Sequence, residues 1–133
     1  VLPLAGLHLL LAEDNELNSE IATALLEEQG ASITAVENGR LALEAIQNAA
    51  PRTYDAILMD VMMPEMNGLE ATRCIRAFEG KGPGEGTPII AMTANVFADD
   101  VKACLDAGMN SHVGKPLDMK VLIGEILKYT DAR

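Results

Sequence analysis

The chain has 133 residues, 49% of them hydrophobic, which is enough to bury one core and too few for two ordinary domains, so a single globular unit over residues 1–133 is expected. Ten basic residues against twenty acidic ones give a formal net charge of −10, a surface that repels nucleic-acid phosphates and anionic lipid alike. Aromatics are only 3% and Trp is absent, so stacking platforms for bases are missing too.

No apolar run approaches the roughly 18 residues needed to cross a bilayer, and the opening VLPLAGLHLLLAEDN lacks a basic leader region. A soluble, cytoplasmic domain is expected. Because it opens on Val1 rather than Met, it reads as a piece of a longer chain that could carry an anchor elsewhere.

In chain order, Leu7 to Leu11 is a short apolar run ending at Ala12-Glu13-Asp14-Asn15, which predicts a strand covered on both faces. Leu17, Ile21, Ala24 and Leu25 then recur at helical spacing, and Gly30 stops the helix. The alternation repeats with Ser32 to Val36 as strand, Gly39 to Gln47 as helix, Tyr54 to Met59 as strand and Gly68 to Phe78 as helix. Pro88 to Met92 then reads as strand, Ala98 to Ala107 as helix, His112 to Gly114 as a very short strand and Leu117 to Tyr129 as helix. Five β-α units predict an α/β fold with a parallel sheet and helices on both faces. With right-handed crossovers this becomes the doubly wound, flavodoxin-like (βα)5 sheet of order 2-1-3-4-5.

Two features carry no special chemistry. Cys74 and Cys104 fall within helices at a spacing that fits neither zinc nor a disulfide framework, and read as reduced thiols in or near the core. EGKGPGEGTP has the look of a phosphate cradle, but it leaves a helix and enters a strand, the reverse of what a cradle needs, and reads as a flexible surface connection.

The strand ends are different. ILMDVMMPEMNG closes a buried strand on Asp60, and the predicted topology brings Asp60 to one sheet edge with Glu13, Asp14, Thr93 and Lys115. Singly each has an ordinary explanation: Asp14 could cap the next helix, Thr93 is a β-branched strand residue, and Lys115 is a solvated charge. Together they do not. Two like charges about 4 Å apart repel by roughly 4 kcal/mol at an effective dielectric near 20, so three carboxylates in a partly desolvated pocket call for a cation. Oxygen ligands without His or Cys suit Mg²⁺, which keeps waters and shares a phosphate. Asp60 is the natural nucleophile toward phosphorus, with Thr93 and Lys115 placed to bind phosphoryl oxygens.

At LLAEDN, ILMDVMMPEMNGLEATRCIR, TPIIAMTAN and HVGKPL the chain resembles the receiver domain of two-component response regulators, over a core from about Leu7 to Tyr129. The resemblance implies that Asp60 accepts a phosphoryl group from a phosphohistidine and that Glu13, Asp14 and Asp60 hold Mg²⁺ together with the backbone carbonyl of Met62. It also implies that Thr93 and Lys115 sense the phosphate and that the Lys115-Pro116 bond is cis. The wording of GMNSHVGKPLDMKVL and PIIAMTANVF is most similar to receiver modules of hybrid sensor histidine kinases, which implies a kinase phosphohistidine domain or a histidine phosphotransfer domain as partner. His112 stands where stand-alone regulators usually carry Tyr or Phe as a switch, and a half-buried imidazole without a signalling role is its bland alternative.

Rival readings fit less well. A stand-alone response regulator shares the site. A haloacid-dehalogenase phosphatase needs a second Asp two residues after the nucleophile, where Met62 stands. An FMN carrier would want hydroxyls and glycines after the first strand, where AEDNELN is acidic. A degenerate receiver is hard to reconcile with the full set Glu13, Asp14, Asp60, Thr93 and Lys115.

Overall fold

A computed structural model describes residues 2–82, 84–94 and 97–130. Strands β1 His8–Ala12, β2 Ser32–Val36, β3 Ala56–Asp60, β4 Ile89–Thr93 and β5 Ser111–Gly114 alternate with helices α1 Glu16–Glu28, α2 Gly39–Asn48, α3 Gly68–Glu79, α4 Ala98–Ala107 and α5 Met119–Thr130. The strands form one parallel sheet in the order β2-β1-β3-β4-β5, the expected doubly wound flavodoxin-like arrangement. Boundaries differ from the sequence expectation by one or two residues. Leu7 is drawn out of β1 into a turn by its N–H bond to the Leu4 carbonyl, and β3 runs on to Asp60 because Asp60 still pairs with Met92 of β4.

The central strands are apolar along their length because both sheet faces are covered. Leu9 and Leu11 of β1 point to one face, where Ala22 and Leu26 of α1 and Leu122 and Ile126 of α5 pack on them. Leu10 and Ala12 point to the other, against Ala42 and Ile46 of α2, Ala71 and Ile75 of α3 and Cys104 of α4. Cys74 and Cys104 are both free thiols.

One helix face is reversed from what its apolar spacing suggests. Leu17, Ile21, Ala24 and Leu25 all lie on the exposed side of α1, with Leu17 63% and Ile21 51% exposed, while Ala22 and Leu26 are buried. A helix laid on a sheet buries only one stripe. Here small Ala22 lets α1 approach β1, and the larger apolar stripe is left in solvent.

The helix cap also moves by one residue. Asn15 Oδ1 accepts the N–H of Asn18 at 2.9 Å, so Asn15 and not Asp14 caps α1, and the Asp14 carboxylate is released from that task.

At the N-terminal edge of the strands, the glycine-rich connection is tied down more than its composition suggests. Gly80 ends α3 in the left-handed conformation, Asn110 Nδ2 donates to the Gly84 carbonyl, and the Thr87 N–H and hydroxyl both donate to Glu79. Buried Arg76 completes this network by donating to the carbonyls of Gly108 and Thr87, to Glu79 Oε1 and to Asn110 Oδ1, at 2.8–2.9 Å. Pro83 lies outside the described residues. Among those described, no helix is long and apolar enough to cross a membrane.

Candidate functional site

The opposite edge gathers the predicted residues. Asp60 ends β3 with 6% of its surface exposed, and Glu13, whose N–H donates to the Val36 carbonyl just past β1, is 5% exposed. Lys115 leaves β5 with its N–H on the Thr93 carbonyl at 2.9 Å, which aims the side chain back over the sheet edge. Its ammonium then bridges the two acids, Nζ lying 3.0 Å from Glu13 Oε1 and 3.1 Å from Asp60 Oδ2. The Lys115-Pro116 peptide bond is cis.

Asp14 stands at the solvent side of this group, and Glu13, Asp14 and Asp60 each present an oxygen within 4.8 Å of the others. Thr93 is buried at the end of β4, one residue beyond the Asp60–Met92 pair. Met62 puts its side chain into solvent while its N–H approaches Asp60 Oδ1 at 3.4 Å. His112 sits on β5 beside Ala91, partly exposed, two register steps short of the Thr93–Gly114 pair.

Burial and the neighbouring Glu13 carboxylate push the Asp60 carboxyl up to about 6, against the pull of Lys115. Burial acts on Glu13 in the same sense, but hydrogen bonds from Asp60 and Lys115 outweigh it and hold Glu13 below its usual range. Lys115 is desolvated too, and still its two acidic neighbours raise it. The buried acids thus divide unequally, Glu13 keeping the charge and Asp60 holding a proton longest. A lone ammonium does not neutralise three carboxylates. An all-oxygen donor set with one member open to water fits a hard divalent ion such as Mg²⁺, and a dication there would reverse the rise at Asp60.

Sequence reasoning missed what holds the segment after Asp60. Gly39 at the start of α2 donates its N–H to the Met66 carbonyl at 2.9 Å, and Arg40 pairs with Glu65 at 3.0 Å. The only local signal is the pair Asn38-Gly39, a cap followed by a residue that favours no helix.

A family model of the response regulator receiver domain matches residues 9–127. A probable histidine kinase of Oryza sativa subsp. indica is 41% identical over 140 aligned residues, covering 84% of this chain and 14% of that protein. The sensor protein GacS of Pseudomonas syringae pv. syringae is 39% identical over 121, covering 91% and 13%. The chain therefore spans about one seventh of the length of these relatives. Among solved structures, the receiver domain of a Pseudomonas aeruginosa sensor histidine kinase, with magnesium coordinated in its active-site cleft, superposes with a TM-score of 0.82 at 38% identity, covering 96% of this chain and 99% of that one. A Saccharomyces cerevisiae response-regulator receiver domain, crystallised with a histidine phosphotransfer protein, gives 0.83 at 26% identity, covering 94% and 89%.

Proposed function

The chain belongs to the response regulator receiver domain family and is a receiver domain of two-component phosphorelay signalling, and from that premise we propose that Asp60 is its phosphoacceptor. The observation that carries this is the charge pattern: three carboxylates meet within 4.8 Å with Lys115 bridging the two buried ones.

In the proposed reaction an Asp60 oxygen forms a bond to phosphorus as the N–P bond of a donor phosphohistidine breaks, and the imidazole leaves with the electron pair. Lys115 pairs with one phosphoryl oxygen, and the Thr93 hydroxyl donates to another. Mg²⁺ bound by Glu13, Asp14, Asp60 and the Met62 carbonyl would supply the remaining charge neutralisation. Lys115 is shared between Glu13 and Asp60 beforehand, so it need move little.

The donor needs a route to Asp60, and the outward face of α1 supplies one. Ile21 and Leu25 line a cleft of about 540 Å³ that continues past Lys115, Pro116 and Leu117, and exposed Leu17 extends the same helix face. An apolar helix bearing the histidine fits this surface, and the acidic residues Glu16, Glu20 and Glu28 around it favour basic flanks on the partner. A hybrid histidine kinase is the parent chain that best suits the relatives, with residues 1–133 as one cytoplasmic receiver module handing phosphate to or from a histidine phosphotransfer domain.

Phosphorylation then adds about two negative charges beside Thr93. Thr93 draws toward the new oxygens, and β4, β5 with His112, and α4 shift between two packings already present. The connecting loop runs from Ala94 to Phe97, of which residues 95 and 96 lie outside those described.

The test is incubation with acetyl phosphate and Mg²⁺ followed by intact mass. One phosphoryl group should appear on the parent and none on Asp60→Asn or in the presence of EDTA. Continued turnover of a phosphate ester without a phosphorylated protein would overturn the reading in favour of a phosphatase.

A further inference from the structure

We infer that Gly39 is a positioning residue for phosphoryl transfer, acting through the loop 61–67 that links Asp60 to α3, and given the receiver function proposed above its effect is to set the Met62 carbonyl toward the cation. That loop is pinned by glycines at both ends. At its root, Gly68 donates its N–H to the Val61 carbonyl at 2.9 Å, and a β-carbon on Gly68 would lie 2.3 Å from the Asp60 carbonyl oxygen. At its far end a β-carbon on Gly39 would lie 2.4 Å from the Met66 carbonyl oxygen and 2.9 Å from both the Asn67 oxygen and the Ala71 β-carbon.

Two of those three contacts are backbone, so no side-chain rotation relieves them. The first N–H of α2 points at the Met66 carbonyl, where the positive end of the helix favours an acceptor. Beside it Glu65 adopts a left-handed φ of 64°, uncommon for a residue with a β-carbon, and its carboxylate is held by Arg40. The strained turn and the helix start brace each other.

A methyl at position 39 must therefore push the Met66 carbonyl outward by roughly half an ångström or more, because real β-carbons essentially never come within 3.0 Å of such an atom. The loop from Val61 to Met66 is too short to absorb this without moving Met62, while Glu13, Asp14 and Asp60 are untouched. Magnesium demands near-ideal octahedral geometry, so a displaced carbonyl ligand weakens binding.

The decisive experiment compares Gly39→Ala with Gly124→Ala, a helical glycine of α5 where an added β-carbon meets nothing within 4 Å. Mg²⁺ is titrated while the Met62 and Glu13 amides are followed by NMR, and acetyl phosphate labelling is timed at low and saturating Mg²⁺. Gly39→Ala should bind Mg²⁺ roughly tenfold more weakly, the lower end of what outer-shell changes cost. Its labelling should be slow at low Mg²⁺ and recover at saturation, and Gly124→Ala should match the parent.

Equal Mg²⁺ affinity in the two variants, with the Met62 amide at its parent position, would overturn the role of Gly39. If Gly39→Ala fails to fold, Arg40→Glu and the swap Arg40→Glu/Glu65→Arg decide instead: weakened binding restored by the swap supports the brace, and unchanged binding in Arg40→Glu overturns it. A parent protein that neither binds Mg²⁺ nor takes a phosphoryl group on Asp60 would overturn the receiver chemistry itself, a failure distinct from that of Gly39.

Discussion

The two edges of the sheet both bury charge, and they balance it differently. At the N-terminal edge Arg76 and Glu79 form one ion pair of opposite charges, with side chains 5% and 15% exposed, and Thr87, Gly108 and Asn110 complete their hydrogen bonding. At the C-terminal edge Glu13, Asp14 and Asp60 face, among the described residues, the single cation Lys115, an excess of two negative charges. A buried charge network that closes on itself is structure. One left open by two charges is where the proposed dication and phosphoryl group would bind.

Breaking the closed network should have the largest effect. Arg76→Met strands the Glu79 carboxylate and leaves the Gly108 and Thr87 carbonyls without their donor, which should cost about 3–5 kcal/mol in urea unfolding. Breaking the open one should do the reverse. Asp60→Asn removes one of the crowded charges; the parent carboxyl is raised from 3.8 to about 6, which at about 1.4 kcal/mol per pKa unit is about 3 kcal/mol at most, and because the variant also gives up the Lys115 pairing the metal-free gain over the parent at pH 7.5 should be about 1–2 kcal/mol. Loss of stability in both variants would erase the contrast between the edges.

The pH dependence sharpens it further. The folded pKa of Asp60 lies above its ordinary value, so between about 4 and 6 the folded protein binds more protons, and this group's contribution falls as pH rises, its penalty being complete above pH 6. Glu13 works with the opposite sign: lowered in the fold, it stabilises above its ordinary 4.5 and that contribution fades as pH falls below. Lys115, raised above 10.5, contributes throughout this range. The stability gain of Asp60→Asn over the metal-free parent should therefore be near zero at pH 4 and full by pH 7, and millimolar Mg²⁺ should shrink it. A gain independent of pH would mean that Asp60 ionisation is not its source.

Much of the open edge is legible in the sequence because each of its residues ends or follows a strand whose apolar run is unmistakable, and parallel order alone lines those ends up. The capping role that offers Asp14 an ordinary explanation falls to Asn15, since the two have similar capping chemistry and only backbone geometry separates them. The apolar spacing of α1 marks a helix without saying which face it buries. Leu17, Ile21 and Leu25 form a better apolar stripe than Ala22 and Leu26, but the helix turns its smaller side to the sheet and leaves the larger one in solvent. The Arg76 network joins residues 32 and 34 positions apart, and Gly39 meets Met66 from another helix. No local pattern encodes contacts of that kind.

The smallest expected effect belongs to Thr93, which lies on the open edge without adding to its charge. Thr93→Ala removes one hydroxyl at the end of β4 and should change stability by about 1 kcal/mol or less. Asp60 should still be labelled by acetyl phosphate, because nucleophile, acids and Lys115 remain. What should weaken is the response. On phosphorylation the amide shift changes over β4 and β5, including His112, should be markedly smaller than in the parent, since the new oxygens have lost the hydroxyl through which they pull on the strand. Equal shift changes in the two proteins would mean that the charge excess, once neutralised, moves the sheet edge through Lys115 or the cation alone.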